Sequence, residues 1–265
     1  MRFQASKAEQ NLVRMALQIV TETTSQYSDL MPLRLCRPVP FFGPIECAKV
    51  ITFGLNPSTT EFTKKRNWSR VTDAELPDEL VNYWTNEDRT PHEWFQPWQT
   101  VLSELGVSYI SDAAHIDLSP RATNCCKGEL KAQFIEMLRT DAGIWIEGLR
   151  IARECRLILA AGSATNDPKR GYINQFISEM LSAGAGVRLR DHWSRKQSGA
   201  GQTAHNMICL HEGREIPFFF CSTGPTVRKG TVLIEACRAN IAALKKHLDD
   251  QPGAPNVPPG IVDHR

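Results

Sequence analysis

Five short apolar runs constrain the fold most: Lys49 to Gly54, Val107 to Ala113, Arg156 to Ala161, Asn206 to Leu210 and Ile216 to Cys221. Each has strand length and is bounded by Gly, Pro, Asp, Asn or charged residues. Helical periodicity occupies His92 to Leu105, Lys127 to Arg139, Ala142 to Glu154, Gly171 to Ala183 and Lys229 to Leu248, so strands and helices largely alternate. Parallel strands need long crossovers, and helices supply both the crossover and the cover. The expectation is therefore an α/β chain built as a three-layer α/β/α sandwich around a mostly parallel central sheet.

A further amphipathic pattern over residues 6 to 24 sets Leu12, Val13, Met15, Ala16, Ile19 and Val20 at helical spacing, and predicts a helix packed across the sheet. The chain reads as one domain over residues 1 to 248, with its core from about 48 to 245. The tail "DDQPGAPNVPPGIVDHR" is too rich in proline and too poor in apolar periodicity to pack, so residues 249 to 265 are predicted to be disordered. Between Phe62 and Pro91 no pattern repeats. The adjoining "YWTNEDRTPHEWFQPWQ" is crowded with aromatics, and a long insertion of that kind is expected to form a lid or widen a pocket.

Composition narrows the partners. Lys plus Arg exceed Asp plus Glu by only 31 − 29 = 2, so an anionic partner must be met by local patches. With no signal-like apolar run after Met1 and no stretch of membrane-spanning length, the expectation is a cytoplasmic protein with no membrane contact. None of the eight cysteines forms a Cys-x-x-Cys pair, and several lie within apolar runs, which predicts reduced core thiols. The one alternative is an iron–sulfur site gathered from Cys36, Cys47 and the Cys125–Cys126 pair.

Ligands of open α/β sheets bind beyond the carboxyl ends of the strands. Here the segments that follow strands are "GLNPSTTEF", "DAAHIDLSPRATN", "AGSATNDPKRG" and "STGPTVRKG". In the first, Asn56 stands on a turn stiffened by Pro57. An Asn beside proline is common in turns, and alone it would mark nothing more.

Two of these segments together resemble the uracil-DNA glycosylase superfamily. Gly54-Leu55-Asn56-Pro57-Ser58 is similar to its first motif, Gly-x-Asn-Pro or Gly-x-Asp-Pro after the first core strand. Ser222-Thr223-Gly224-Pro225-Thr226 stands in the place of its His-Pro-Ser-Pro loop. The resemblance implies hydrolysis of an N-glycosidic bond without metal or other cofactor. Asn56 would position the water, and the backbone at Leu55 and Ser58 would supply N–H donors. Phe62 would be a stacking platform for a flipped base, or else a core aromatic. Where many members carry a His for the leaving base, this chain has Ser222, whose neutral hydroxyl is a weaker partner for a developing anion. His205 and His211, which flank the preceding strand, are the candidates to substitute for it. In "TVRKG", the resemblance makes Val227 and Arg228 a minor-groove wedge, with Thr226 beside them and Lys229 on a phosphate.

The second segment bears on the base. In one register, Tyr109-Ile110-Ser111 ends a strand and places Asp112 where relatives read uracil with an Asn. In the other, His115-Ile116-Asp117-Leu118 places His115 and Asp117 at the pocket. An ionised carboxylate accepts from an exocyclic amine such as cytosine N4 but cannot donate to a carbonyl, so Asp112 implies an amino-bearing base. The stretches "TKKRNWSR" and "RLRDHWSRKQSGAGQ" interleave cations with Trp68 and Trp193, as phosphate contacts with base stacking would. The expected partner is DNA, duplex or single-stranded, with no obligate protein partner. The expected activity is a monofunctional glycosylase for a damaged or modified base, with a modified cytosine of foreign DNA as the natural candidate. The competing readings are a uracil or mismatch repair glycosylase, a catalytically weak DNA-binding relative, and a hydrolase of free nucleosides.

Overall fold

The computed structural model describes residues 2–23, 25–30, 37–57, 71–87, 91–123, 130–161, 187–196, 203–221 and 230–249. The first helix, α1 (Lys7–Thr23), starts at a reciprocal cap: Ser6 Oγ accepts from the Glu9 amide at 3.2 Å, and the Glu9 carboxylate accepts from the Ser6 amide at 2.8 Å. It buries Leu12, Val13 and Ala16, as the amphipathic pattern requires. The strands β1 (Phe41–Phe42) and β2 (Val50–Gly54) follow, then the short helix α2 (Leu76–Val81) and a 3-10 turn at Glu93–Phe95. The turn leads into α3 (Gln96–Leu105), which stops at Gly106 in the left-handed region, φ 78°.

Beyond it lie β3 (Ala113–Asp117), α4 (Leu130–Ile151), β4 (Leu157–Ala161), β5 (Val187–Lys196), β6 (Thr203–His211), β7 (Arg214–Cys221), α5 (Gly230–Arg238) and α6 (Ile241–Asp249). One seven-stranded sheet has the order β1-β3-β2-β4-β7-β6-β5. The central block β3-β2-β4-β7 is parallel, while β1, β6 and β5 join antiparallel at its two edges. The chain is thus mixed α/β with a parallel centre. Phe53 and Ile116 face α4: Phe53 meets the Trp145 ring edge-on at 5.2 Å, and a Cβ on Gly148 would lie 3.2 Å from Ile116. Thr52 and His115 alternate to the other side, where Phe42, Trp94 and Phe95 close over the imidazole.

The structure corrects several expectations. The run Val107 to Ala113 is not a strand, because Ser108 and Asp112 close a turn. The Ser108 carbonyl accepts from the amides of Ser111, Asp112 and Ala113, and Asp112 Oδ1 accepts from the Ser108 amide at 2.8 Å. The strand starts only at Ala113. The two helices expected on either side of Thr140-Asp141 are one, since the Asp141 carboxylate is engaged by Arg121 and caps nothing. The basic segment from Arg188 is in its first part the edge strand β5, with an irregularity between Asp191 and Trp193. Within the 62–91 insertion, α2 forms and Tyr83 behind it is buried in the core, as are Phe95 and Trp98 beyond; residues 62–70 and 88–90 lie outside the described residues. The Gly171 to Ala183 helix and the 249–265 tail, apart from Asp249, lie outside the described residues.

Among the described cysteines, Cys155, Cys209, Cys221 and Cys237 are buried and Cys47 is exposed; Cys36, Cys125 and Cys126 lie outside. Burial pushes the Cys155 and Cys209 thiols up to about 12, as unreactive core groups. No described helix is long and apolar enough to cross a membrane.

At the amino end of the parallel block, the β6–β7 hairpin turns through Glu212 (φ 48°) and Gly213 (φ 77°). Arg214 reaches from it to the last carbonyls of α4 and beyond, donating to Ala152 at 3.1 Å and Cys155 at 3.0 Å. His211 is buried there, with neither ring nitrogen bonded among the described residues. Burial, and then the Arg214 and Arg150 cations, hold its imidazole below the usual range against the opposing pull of Glu212 and Glu147. The unfolded chain then binds the proton more tightly. The stability contributed is whole above the ordinary value near 6.5 and is lost as pH falls below it. Urea midpoints are expected to drop from pH 7.5 to pH 5, and His211→Leu is expected to flatten that slope by up to about one proton. An unchanged slope in the variant would contradict this account.

Candidate functional site

The site forms where the loops after β2 and β3 run side by side. Beyond the strand ends, the Leu118 amide donates to the Gly54 carbonyl at 3.0 Å and the Ser119 amide to the Leu55 carbonyl at 2.9 Å. The loops therefore leave the sheet as a tied pair. β2 has β3 on one side and β4 on the other, so the chain order reverses between β2 and β4, and open α/β sheets leave a crevice at such a reversal. Asn56 lies two residues past the end of β2.

The Asn56 amide is oriented by what its nitrogen touches. Nδ2 donates to the carbonyls of Pro57 at 3.0 Å and Arg121 at 3.2 Å, and to Thr123 Oγ1 at 2.8 Å. Carbonyls only accept, so nitrogen must occupy that position and the oxygen must point away. Asn56 Oδ1 has no hydrogen-bond partner among the described residues. It is a fixed, neutral acceptor on a half-buried side chain at the carboxyl end of the sheet.

The Arg121 carbonyl is itself held from below. Its guanidinium, wholly buried, donates through Nε to Asp141 Oδ2 at 2.8 Å and through Nη2 to Oδ1 at 3.2 Å. The same Nη2 bonds the Ile19 carbonyl at 3.0 Å and Thr23 Oγ1, both at the end of α1, and the guanidinium lies 5.2 Å from the Tyr27 ring centre. Ser119 Oγ adds a donor to Asp141 at 2.6 Å. The loop bearing the Asn56 partners is thus bolted to α1 and α4.

Gly54 explains its own presence. A Cβ there would stand 2.3 Å from Asp117 Oδ1 and 3.0 Å from His115 Nε2, so only glycine lets the carboxylate and imidazole lie over β2. His115 Nε2 is 3.2 Å from Asp117 Oδ1, and both residues are buried. On the other side of the ring, Nδ1 is 2.9 Å from Thr52 Oγ1, which is 2.6 Å from the Tyr109 hydroxyl. Burial raises the Tyr109 pKa, and the Asp117 charge adds to the rise against the Thr52 hydrogen bond. Tyr109 is therefore a donor, not a phenolate.

Of the residues singled out in the sequence, the structure brings Leu55, Asn56, His115 and Asp117 to one end of the sheet. Asp112 is a correction. It precedes β3, its carbonyl accepts from the Lys49 amide at 2.8 Å, and its carboxylate lies 3.8 Å from Lys49 Nζ, at the amino end of β2. Four residues of strand, about 13 Å, separate that end from Gly54. His115 and Asp117 lie on β3, with Asp117 beside Gly54 at the carboxyl end of β2. His211 is likewise at the amino end, whereas the backbone of His205 pairs with Phe220 near the carboxyl end of β7. Ser58, Phe62, Ser222, Thr226, Val227, Arg228 and Lys229 lie outside the described residues.

Sequence reasoning missed Thr52, Tyr109, Arg121 and Thr123. A hydroxyl inside the apolar run "VITFG" was the available signal for Thr52; the others carry none, because their partners are distant in sequence. Among the described residues no group of three or more His, Cys, Asp or Glu is arranged to hold a metal. Compared with known proteins, the chain matches no family model and no curated protein.

Proposed function

We propose that this chain is a monofunctional DNA glycosylase, of uracil-DNA glycosylase-like α/β/α architecture. It flips a modified, amino-bearing base out of DNA and hydrolyses its N-glycosidic bond to leave an abasic site. The observation that carries the reading is the Asn56 amide, fixed by its nitrogen just past the end of β2 with its oxygen left without a partner among the described residues. Such an acceptor orients a water for attack on the anomeric carbon without being a strong base. The adjoining carboxylate of Asp117 takes over the role expected of Asp112. Accepting from an exocyclic amine, it favours a cytosine-like base over uracil.

The test is incubation of the purified protein with duplex and single-stranded DNA carrying uracil, mismatches, cytosine or bulky modified cytosines, followed by assay for alkali-labile abasic sites. Excision of an amino-bearing base is the expected result. Asp117→Asn is expected to reduce it roughly 5- to 150-fold, the value of one base-edge contact, while sparing or improving action on uracil. Unchanged preference in the variant would remove Asp117 from base choice. Tight DNA binding with no excision on any substrate would replace the enzyme by a DNA-binding relative.

A further inference from the structure

We infer that Tyr109, Thr52 and His115 form a buried hydrogen-bond chain that fixes His115 as the neutral Nε2–H tautomer, and thereby holds Asp117 as an acceptor at the strand ends. Thr52 and Tyr109 are then positioning residues for the site. The role given to Asp117 rests on the glycosylase reading; the tautomer does not.

Four residues from three places in the chain meet in one line. The distances are 2.6 Å from Tyr109 Oη to Thr52 Oγ1, 2.9 Å from Oγ1 to His115 Nδ1, and 3.2 Å from Nε2 to Asp117 Oδ1. All four residues are buried: Tyr109 is 3% exposed, Thr52 0%, His115 2% and Asp117 3%. Phe42, Trp94 and Phe95 pack against the imidazole with ring centres at 6.3, 5.0 and 5.0 Å, so the ring nitrogens find no other partner among the described residues.

Donor accounting sets the direction. A carboxylate only accepts, so Nε2 carries hydrogen. A neutral ring then leaves Nδ1 with a lone pair that needs a donor, and Thr52 supplies it. The alternative acceptor for the Thr52 hydroxyl is the Ala114 carbonyl, at a longer 3.4 Å. With its hydrogen given to His115, Thr52 Oγ1 accepts from Tyr109, whose hydroxyl keeps its proton. Every donor along the chain points toward Asp117.

The consequence is at Asp117. Oδ1 is committed to His115 and wedged over Gly54, while Oδ2 has no hydrogen-bond partner among the described residues. A carboxylate fixed in this way presents an oriented acceptor and no donor, so it selects for a base edge that donates. Removing the Thr52 hydroxyl frees the ring to flip or change tautomer, and the carboxylate loses its setting.

The test reads the tautomer directly. The full-length protein carrying 15N-labelled histidine is observed by long-range proton–nitrogen correlation at pH 7.5, with His115 assigned by its loss in His115→Gln. The neutral Nε2–H pattern is expected in the wild type and in Thr52→Ser, and a shifted Nδ1 resonance in Thr52→Val and Tyr109→Phe. A cationic ring or the Nδ1–H form in the wild type would overturn the proposal, whatever the enzyme does. In the excision assay, Thr52→Val is expected to lower kcat about 10-fold, the worth of one lost hydrogen bond, with DNA affinity unchanged and rate restored by Thr52→Ser. Wild-type kcat in Thr52→Val would overturn the positioning role. Absence of excision in the wild type, with the Nε2–H tautomer present, would sink the glycosylase reading and leave the hydrogen-bond chain standing. Tyr109→Phe serves both readouts if Thr52→Val does not fold.

Discussion

Asn56→Ala is expected to lower the rate of base excision by about 10²- to 10³-fold while leaving DNA affinity and the folded structure close to wild type. The magnitude is that of removing one preorganised polar group from a reacting centre. Asn56 is half-buried on a loop, and among the described residues its amide bonds to Pro57, Arg121 and Thr123, so truncation costs little core packing. Single-turnover excision measured beside DNA binding separates the two effects. Excision at the wild-type rate would remove Asn56 from the mechanism, and a parallel collapse of binding would make it a structural residue. Asn56→Asp is the informative companion. The carboxylate keeps an acceptor toward water but cannot donate to the Arg121 carbonyl, so its orientation is lost and its rate is expected to fall below that of Asn56.

Asp141→Asn is expected to cost about 3–5 kcal/mol of stability, because it leaves the Arg121 guanidinium buried without its counter-charge. Both side chains are 0% exposed, and the guanidinium also ties down the end of α1. For a chain of this size the loss corresponds to a fall in Tm of roughly 6–20 °C. Thermal denaturation checks it. Exchanging the pair for apolar residues in Arg121→Met/Asp141→Leu is expected to recover most of the stability, since the penalty lies in the unpaired charge rather than in the absence of a bridge. The double variant still keeps the Arg121 backbone carbonyl that orients Asn56. A double variant no more stable than Asp141→Asn would mean that the hydrogen bonds from Arg121 to Ile19 and Thr23 matter more than the charge.

The strands β2, β4 and β7 and the helices α1 and α3 were legible because their signals are local. An apolar run of strand length and an apolar repeat at helical spacing both act within a few residues. The strand β3 was misplaced by the same kind of reasoning. "VSYISD" has strand composition, but Ser108 and Asp112 prefer a closed turn, and side-chain bonds to nearby backbone outcompete propensity there. Thr140-Asp141 has the look of a helix start, and the reading of two helices failed because Asp141 spends its carboxylate on a residue 20 positions away.

By itself the sequence determined where a strand must stop and how the chain turns there: Gly54, then Asn56 locked beside Pro57. It also determined that alternating strands and helices build a sheet with a parallel centre. Only the tertiary structure decided that Asp117, not Asp112, stands at that strand end, and that Thr52 lies between Tyr109 and His115, 57 and 63 positions away. Turn chemistry acts between neighbours and leaves a pattern in the sequence. A hydrogen bond between strands depends on register, and a slip of a few residues exchanges one carboxylate for another without changing the hydrophobic pattern enough to be seen.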